Sequence, residues 1–244
     1  MRTSVSAVVV ALTVSPLAVA ETDTRNWEGE AELGVLLTSG NTDETNINSR
    51  LGLLHDATNW RNKGNLRTLF SETDDTTTAE KYEADAETNY KFSDRQYWFL
   101  RGSYDDDRFS GFDYRSSVTS GYGNRVWTAG ERSFLDLSVG AGYRFARLAE
   151  VNDDGERDED EAIARLAGQF DYGLSDTALF RQKLSTEIGL SENDTITESE
   201  TSIQASLMGN LSMKVAYLVT HLSDAPAGSA STDTETSLSL LYGF

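Results

Sequence analysis

The groups in this chain that could do chemistry are charges set at even spacing. Arg61, Lys63 and Arg67 are followed by Glu83, Asp85 and Glu87, with members of each set two or four residues apart. In an extended segment, residues two apart project from the same face, so each set is a stripe of one sign. Antiparallel neighbours would bring the two stripes within cross-strand reach. Arg50, Arg101, Arg115, Arg144, Arg165, Arg181 and Lys183 hold equivalent positions in other runs. Two chemistries fit this set. One is an ion-pair ladder that satisfies the inside of a wall, since buried charges are normally paired. The other is a lining whose rings of charge choose ions. The polar faces carry roughly 14 basic and 11 acidic residues, mixed in sign. A pore for acidic sugars would be expected to show a one-sided basic lining, which this chain lacks.

A second candidate is Arg108-Phe109-Ser110-Gly111-Phe112-Asp113. Two rings flank Ser110-Gly111, and Gly111 permits a tight turn. Either both rings fold inward and pin the segment over an opening, or the segment is a gate; both give it a closing role. The acidic residues 150–161 could collect a divalent cation through carboxylate oxygens. They lack the spacing of a twelve-residue calcium loop, and a solvated acidic loop is the simpler reading. Catalysis has little to work with. An activated nucleophile usually needs a base such as His, and the chain holds only His55 and His221, and no cysteine. The neighbouring carboxylates Asp105 and Asp106 have no evident converging partners. No enzyme, cofactor or resident metal is expected.

The elements that must position these charges are strands. Apolar and polar residues alternate in about twelve runs, opening near Trp27, Asn46, Trp60, Lys81, Tyr97, Tyr114, Leu135, Ala162, Phe180, Ser202, Val215 and Leu238. The clearest sets Tyr82, Ala84, Ala86, Thr88, Tyr90 and Phe92 against Lys81, Glu83, Asp85, Glu87, Asn89 and Lys91. A helix would break that phase. The tenth apolar face reads as Ile203, Ala205, Leu207 and Leu211. Within the runs every Lys, Arg, Asp and Glu falls on one face. A charge facing lipid at mid-bilayer costs about 2–4 kcal/mol, so the strict apolar face fits lipid contact. Runs of about ten residues are long enough to cross a bilayer with tilt.

Connections alternate in length: Ser39–Asp43, Glu72–Ala79, Asp105–Asp113, Glu150–Glu161, Glu192–Ser199 and Ser223–Asp233 form the longer set. That asymmetry fits short periplasmic turns and longer external loops. Trp27, Trp60, Trp98 and Trp127 gather at one end and Phe70, Tyr82, Tyr104 and Tyr114 at the other, as aromatic belts do. Ahead of the runs, Arg2, the apolar Val5–Val14 and Ala18-Val19-Ala20 read as a cleaved signal peptide over residues 1–20, leaving a single domain over 21–244. A net charge of -19 repels nucleic acid. The fold expected is all-β: a transmembrane antiparallel up-and-down barrel, its last strand pairing with the first so that no edge is left in lipid. In that seam Glu235 and Glu28, Glu30 and Glu32 would share one acidic stripe.

Particular stretches carry a resemblance. Thr38-Ser39-Gly40-Asn41-Thr42-Asp43, Asp106-Asp107-Arg108-Phe109-Ser110-Gly111-Phe112-Asp113-Tyr114, Gly121-Tyr122-Gly123 and the closing Leu-Leu-Tyr-Gly-Phe resemble bacterial domain-of-unknown-function family 481, YdiY-like proteins described as salt-induced outer membrane proteins. The resemblance covers residues 27–244 and implies the bacterial outer membrane and a link to salt; it assigns no catalytic residues. The expected partners are outer-membrane lipid and lipopolysaccharide, with Phe244 resembling the mark read by the barrel assembly machinery. The termini are expected to be periplasmic. Three readings stay open: a small passive channel, a structural or adhesive surface barrel without a conducting pore, and, with least support, a barrel enzyme.

Overall fold

The computed structural model describes residues 26–38, 44–130, 132–151, 155–191, 194–226 and 229–244. The leader over 1–20 and the Ser39–Asp43 turn lie outside the described residues. The twelve strands are β1 (Trp27–Thr38), β2 (Glu44–Asp56), β3 (Trp60–Thr73), β4 (Thr76–Lys91), β5 (Gln96–Asp107), β6 (Phe112–Thr128), β7 (Phe134–Leu148), β8 (Asp158–Gly173), β9 (Ala178–Gly189), β10 (Thr195–Met208), β11 (Leu211–Leu222) and β12 (Thr232–Gly243). Each pairs antiparallel with its neighbours in sequence, and β1 pairs with β12, closing the barrel. The closing pair also exchanges bonds at the chain end: Gly29 N–H donates to the Phe244 carbonyl at 2.7 Å, and Phe244 N–H to Gly29 at 2.9 Å.

Polarity is inside out. Leu33, Leu51, Leu66, Tyr82, Leu100, Val118, Val139, Leu166, Leu184, Ile203, Val215 and Leu240, one from each strand, are exposed on the outer face. Arg115, Thr119, Arg144, Lys214 and Ser239 are buried within. Strands that put apolar side chains outward and satisfy every ladder by closure are suited to lipid. Among the described residues no helix is long and apolar enough to cross a membrane. By register, Glu80, Asp106 and Asp160 sit opposite the outward Phe70, Tyr82 and Phe145. All three stand at the rim away from the termini, so the outer band between the rims stays free of charge.

Four details depart from the alternation pattern. The strands outrun the apolar runs, so two expected long loops are tight turns. Only Asp74-Asp75 joins β3 to β4, both with left-handed φ (48° and 60°), the geometry of a two-residue hairpin. Residues 108–111 alone join β5 to β6, and Asp105, Asp106 and Asp107 are strand. Leu211 does not belong to the tenth face. It opens β11 opposite Met208, after a turn at Gly209-Asn210 and a bulge between Ser206 and Met208. Within residues 150–161, Asp158 to Glu161 are strand, paired with Arg147 to Arg144 of β7. Finally, a bulge between Arg125 and Trp127 inserts a residue and shifts the phase. Arg125 can then face inward while Trp127 lies on the outside, where Trp27, Trp60 and Trp98 are also exposed. All four stand at the rim that carries the termini.

Candidate functional site

Twelve strands of one phase aim their polar side chains at a shared lumen, and the charges there meet across it as well as along the wall. Of the two stripes singled out in the sequence, Arg67 donates to Glu83 at 2.5 Å and Lys63 to Glu87 at 3.3 Å, both directly cross-strand. Asp85 accepts from Asn65 at 3.0 Å, and Arg61 turns instead to Asp56, Nε to Oδ2 at 3.0 Å. Arg67 also pairs with Glu235, three strands away around the barrel. From Glu83 the chain of pairs continues through Lys81 (2.9 Å) to Asp105 (3.4 Å) and on to Arg115 (2.7 Å).

A second knot spans the lumen. Arg50 of β2 donates Nη1 and Nη2 to Glu200 of β10 at 3.3 and 3.2 Å. Lys214 lies 3.1 Å from Glu200 and 3.2 Å from Glu32, and Ser239 donates to Glu32 at 2.5 Å. The acidic seam expected between β1 and β12 is therefore absent as such: Lys214 neutralises Glu32 and Arg67 neutralises Glu235. Arg101 and Arg165 each come 3.8 Å from Glu187, and Arg181 forks onto Asp171 at 2.6 to 3.1 Å. Arg144 is paired with Glu161 and, at 2.8 Å, with Asp194 at the start of β10. Burial pushes the Asp194 carboxyl above its usual range, against the opposing pull of Arg144. Lys183 alone of the candidate lumen cations has no carboxylate oxygen within 4.0 Å among the described residues.

Glu198, Glu200 and Lys214 were missed by sequence reading because β10 and β11 begin before their apolar runs do. Extending the phase of Ser202 back by two and four residues would have found both glutamates. Lys214 is masked by its own face, which also carries Ala216, Leu218 and Leu222.

The pairs leave cavities between them, and two are distinguished by their lining. The larger, about 340 Å³, runs from Tyr97, Asp136 and Gln169 near the terminal rim to Arg115, Arg144 and Ile196 near the other. The smaller, about 90 Å³, lies beside Glu30, Glu32, Arg181 and Lys214. Arg50 and Lys183 line both.

At the far mouth the segment 108–113 does not turn both rings inward. Asp107 organises its turn: Phe109 N–H donates to Oδ1 at 3.0 Å, and Ser110 N–H and Oγ donate to the Asp107 carbonyl at 3.1 and 2.8 Å. That leaves Phe109 half exposed at the tip. A bulge between Phe112 and Tyr114 puts Phe112 inside, where it packs with Ala146, Leu148 and Leu222 and touches Ile196 and Ala225. The Arg115 guanidinium stacks 5.0 Å from its ring. Gly111 has a left-handed φ of 86°, and a Cβ there would lie 2.7 Å from Ser229 Oγ and 2.9 Å from Pro226 Cβ. The segment thus leans on the β11–β12 loop, and Arg108 points outward to Glu80 at 2.9 Å while Asp113 lies 3.6 Å from Arg147.

The histidines stand apart. His55 stacks on Trp27 at 4.6 Å and contacts Asn62 at 3.2 Å on the outer face of the terminal rim. His221 contacts Thr232 Oγ1 at 2.8 Å near the opposite rim. Of the acidic segment 150–161, residues 152–154 lie outside the described residues, and Glu161 is committed to Arg144.

A family model described as "Protein of unknown function, DUF481" matches residues 31–244. "Uncharacterized protein YdiY" of Escherichia coli strain K12 is 28% identical over 219 residues, covering 88% of this chain and 82% of that protein. Among solved structures, a NanC porin aligns over 89% of this chain and 97% of its own with 12% identity and a TM-score of 0.46. The translocator domain of autotransporter NalP from Neisseria meningitidis aligns over 89% and 87% with 14% identity and a TM-score of 0.45. A KdgM porin aligns over 89% and 99% with 14% identity and a TM-score of 0.44. Scores of this size mark loose likeness, and nothing about solutes follows from them.

Proposed function

Since this chain belongs to the DUF481 family of unknown function, its activity has to be read from its own lumen, and we propose that it is a narrow passive channel of the bacterial outer membrane whose conductance responds to salt. The observation that carries this reading is the polar chamber that runs most of the barrel's length between walls cross-braced by ion pairs. A leader over 1–20, periplasmic termini and assembly through the exposed Phe244 ring belong to the same reading. The lipid and lipopolysaccharide of that membrane would contact the apolar band and the outer acidic rim. Salt enters through screening: the Debye length falls from about 8 Å at physiological ionic strength to about 3 Å at 1 M. Braces such as Arg67–Glu235 and Arg50–Glu200 face a wet lumen and would loosen over that range.

Planar-bilayer recording of the purified barrel tests this. Conductance should rise more steeply than bulk conductivity as salt increases. Strict proportionality removes the salt response, and no current at any salt removes the channel.

A specific observation favours a second reading. Phe112, Leu148, Leu222 and Ile196 pack as an apolar cluster inside the far mouth, which suits a structural envelope barrel that conducts nothing. Phe112→Ala separates the two: a channel gains conductance, whereas a closed structural wall stays silent.

A further inference from the structure

Among the described residues the candidate lumen cations are paired with one exception. Arg50, Arg61, Lys63, Arg67, Lys81 and the others on the inner face each have a carboxylate oxygen within 4.0 Å. Lys183 has none among the described residues, although its direct cross-strand partner on β10 is Glu200. The reason is competition. Both oxygens of Glu200 are taken, Oε1 by Arg50 Nη1 from across the lumen (3.3 Å) and by Lys214 of the adjacent β11 (3.1 Å), and Oε2 by Arg50 Nη2 (3.2 Å). Of the neighbouring carboxylates, Glu32 is committed to Lys214 and Ser239, and Asp171 to Arg181 and Gln169, while Glu30 in the smaller chamber and Glu198 in the larger have no ion pair among the described residues.

Arg50, Lys183 and Lys214 therefore converge on Glu200, and among the described residues Lys183 is the one of the three left without a direct carboxylate contact. Lys183 lines both chambers, and Arg50 lines both beside it. A charge held away from bulk water is costly unless it is paired. An ammonium facing two cavities finds its partner most readily in a mobile ion. The smaller cavity, about 90 Å³, is large enough for a halide with some water, a single water occupying about 30 Å³ of liquid.

We propose that Lys183, with Arg50 beside it, is a monovalent-anion binding point at the junction of the two lumenal chambers. Chloride is the occupant this chemistry selects; a small carboxylate would make the same contacts. The inference needs a wet lumen but not a conducting one, so it stands apart from the channel reading.

Crystals of the full chain soaked in sodium bromide provide the test, because bromide scatters anomalously and replaces chloride. The expected result is an anomalous peak within about 3.5 Å of Lys183 Nζ, at ordinary ammonium–halide contact distance. It should vanish in Lys183→Met and persist in Lys183→Arg. No peak at Lys183 in the wild type overturns the proposal whatever the variants do. So does an ammonium turned to Glu198 or Glu30, lining carboxylates that have no ion pair among the described residues. Bilayer recording then separates the two readings. Bromide bound in a silent barrel keeps the site and removes the channel, and current without bound bromide does the reverse.

Discussion

The inner wall over β5, β6 and β7 and the inner wall from β10 round to β4 belong to one closed sheet, yet they are filled by different means. On the first, rings lie on glycines. Phe99 is opposite Gly121, which is opposite Gly140, and the ring is all but fully buried. A Cβ on Gly121 would lie 2.2 Å from the Val139 carbonyl oxygen and 2.4 Å from the Gly140 Cα, and one on Gly140 would lie 2.7 Å from Phe99 Cζ. Tyr97 covers Gly123 in the same way. On the second wall the volume is taken by long charged side chains that meet across the lumen. A ring on a glycine bed is set by shape and admits no substitute; an ion pair is set by charge and can re-form with water or another partner. The first sector should therefore be brittle and the second adjustable.

Breaking the brittle side gives the largest effect. Gly121→Val meets backbone that cannot yield, and overpacking of this kind typically costs 1–3 kcal/mol or more. The variant should fail to close, which gel migration of unheated samples would show as loss of the folded band. Gly52→Val, on the inner face of β2 opposite Glu30 and Asn65, where a Cβ comes no nearer than 3.4 Å to the Asn65 side chain, should fold. Equal folding of the two variants would end the distinction between the sectors.

Phe112 is where the two sectors join, since it leaves β6 and packs on β10 and β11. Phe112→Ala removes a buried ring, a change worth about 3 kcal/mol in a well-packed core. The urea midpoint of the refolded barrel should fall by an amount consistent with that, and a wild-type midpoint would mean that the cluster does not bind the sectors together.

Most of the adjustable wall and little of the brittle one could be read from sequence. Charge on a period of two is a strong signal, so the pairing of Lys63 with Glu87 and of Arg67 with Glu83 followed once strands three and four were neighbours. Long-range partners were not visible. Arg50–Glu200 joins residues whose proximity depends on the curvature of the closed barrel, and Arg61 chose Asp56 over the expected stripe. Phase shifts were invisible for the same reason in miniature: a bulge before Tyr114 turns Phe112 inward, and nothing in Phe109 or Phe112 distinguishes the ring that buries from the ring that does not. The glycine bed was hidden because a missing side chain leaves no pattern. Gly121 and Gly123 entered the sequence reading only through the family resemblance, and only the rings of Phe99 and Tyr97 reveal what they accommodate.

On the adjustable side, Glu200→Gln should cost less than its central place suggests. Removing one partner of a fully buried pair costs about 3–5 kcal/mol, but Arg50 and Lys214 line a cavity rather than a packed core, and exposed pairs are worth about 1 kcal/mol or less. An intermediate loss of about 1–2 kcal/mol is expected between those limits, largely recovered in Arg50→Met/Glu200→Met. A loss as large as that of Phe112→Ala would show that the charged wall is as unforgiving as the ringed one.

The smallest effect concerns Asp194, where the adjustable wall meets the loop rim. Its carboxyl is held above the usual range chiefly by burial, so the folded state binds its proton more tightly than the unfolded state does. Stability linked to this group is then fully present below the unfolded pKa and declines as pH rises through the raised folded one. Asp194→Asn, neutral throughout, should flatten that slope and leave the variant equal to or slightly more stable than the parent at neutral pH. Against this works the contact with Arg144 at 2.8 Å, which the amide oxygen can keep as an acceptor. Urea titrations at pH 4, 5, 6 and 7 on parent and variant would decide it. A variant that loses stability most at pH 7 would show that the ion pair with Arg144 outweighs burial, and that even the rim of the charged wall depends on its pairs.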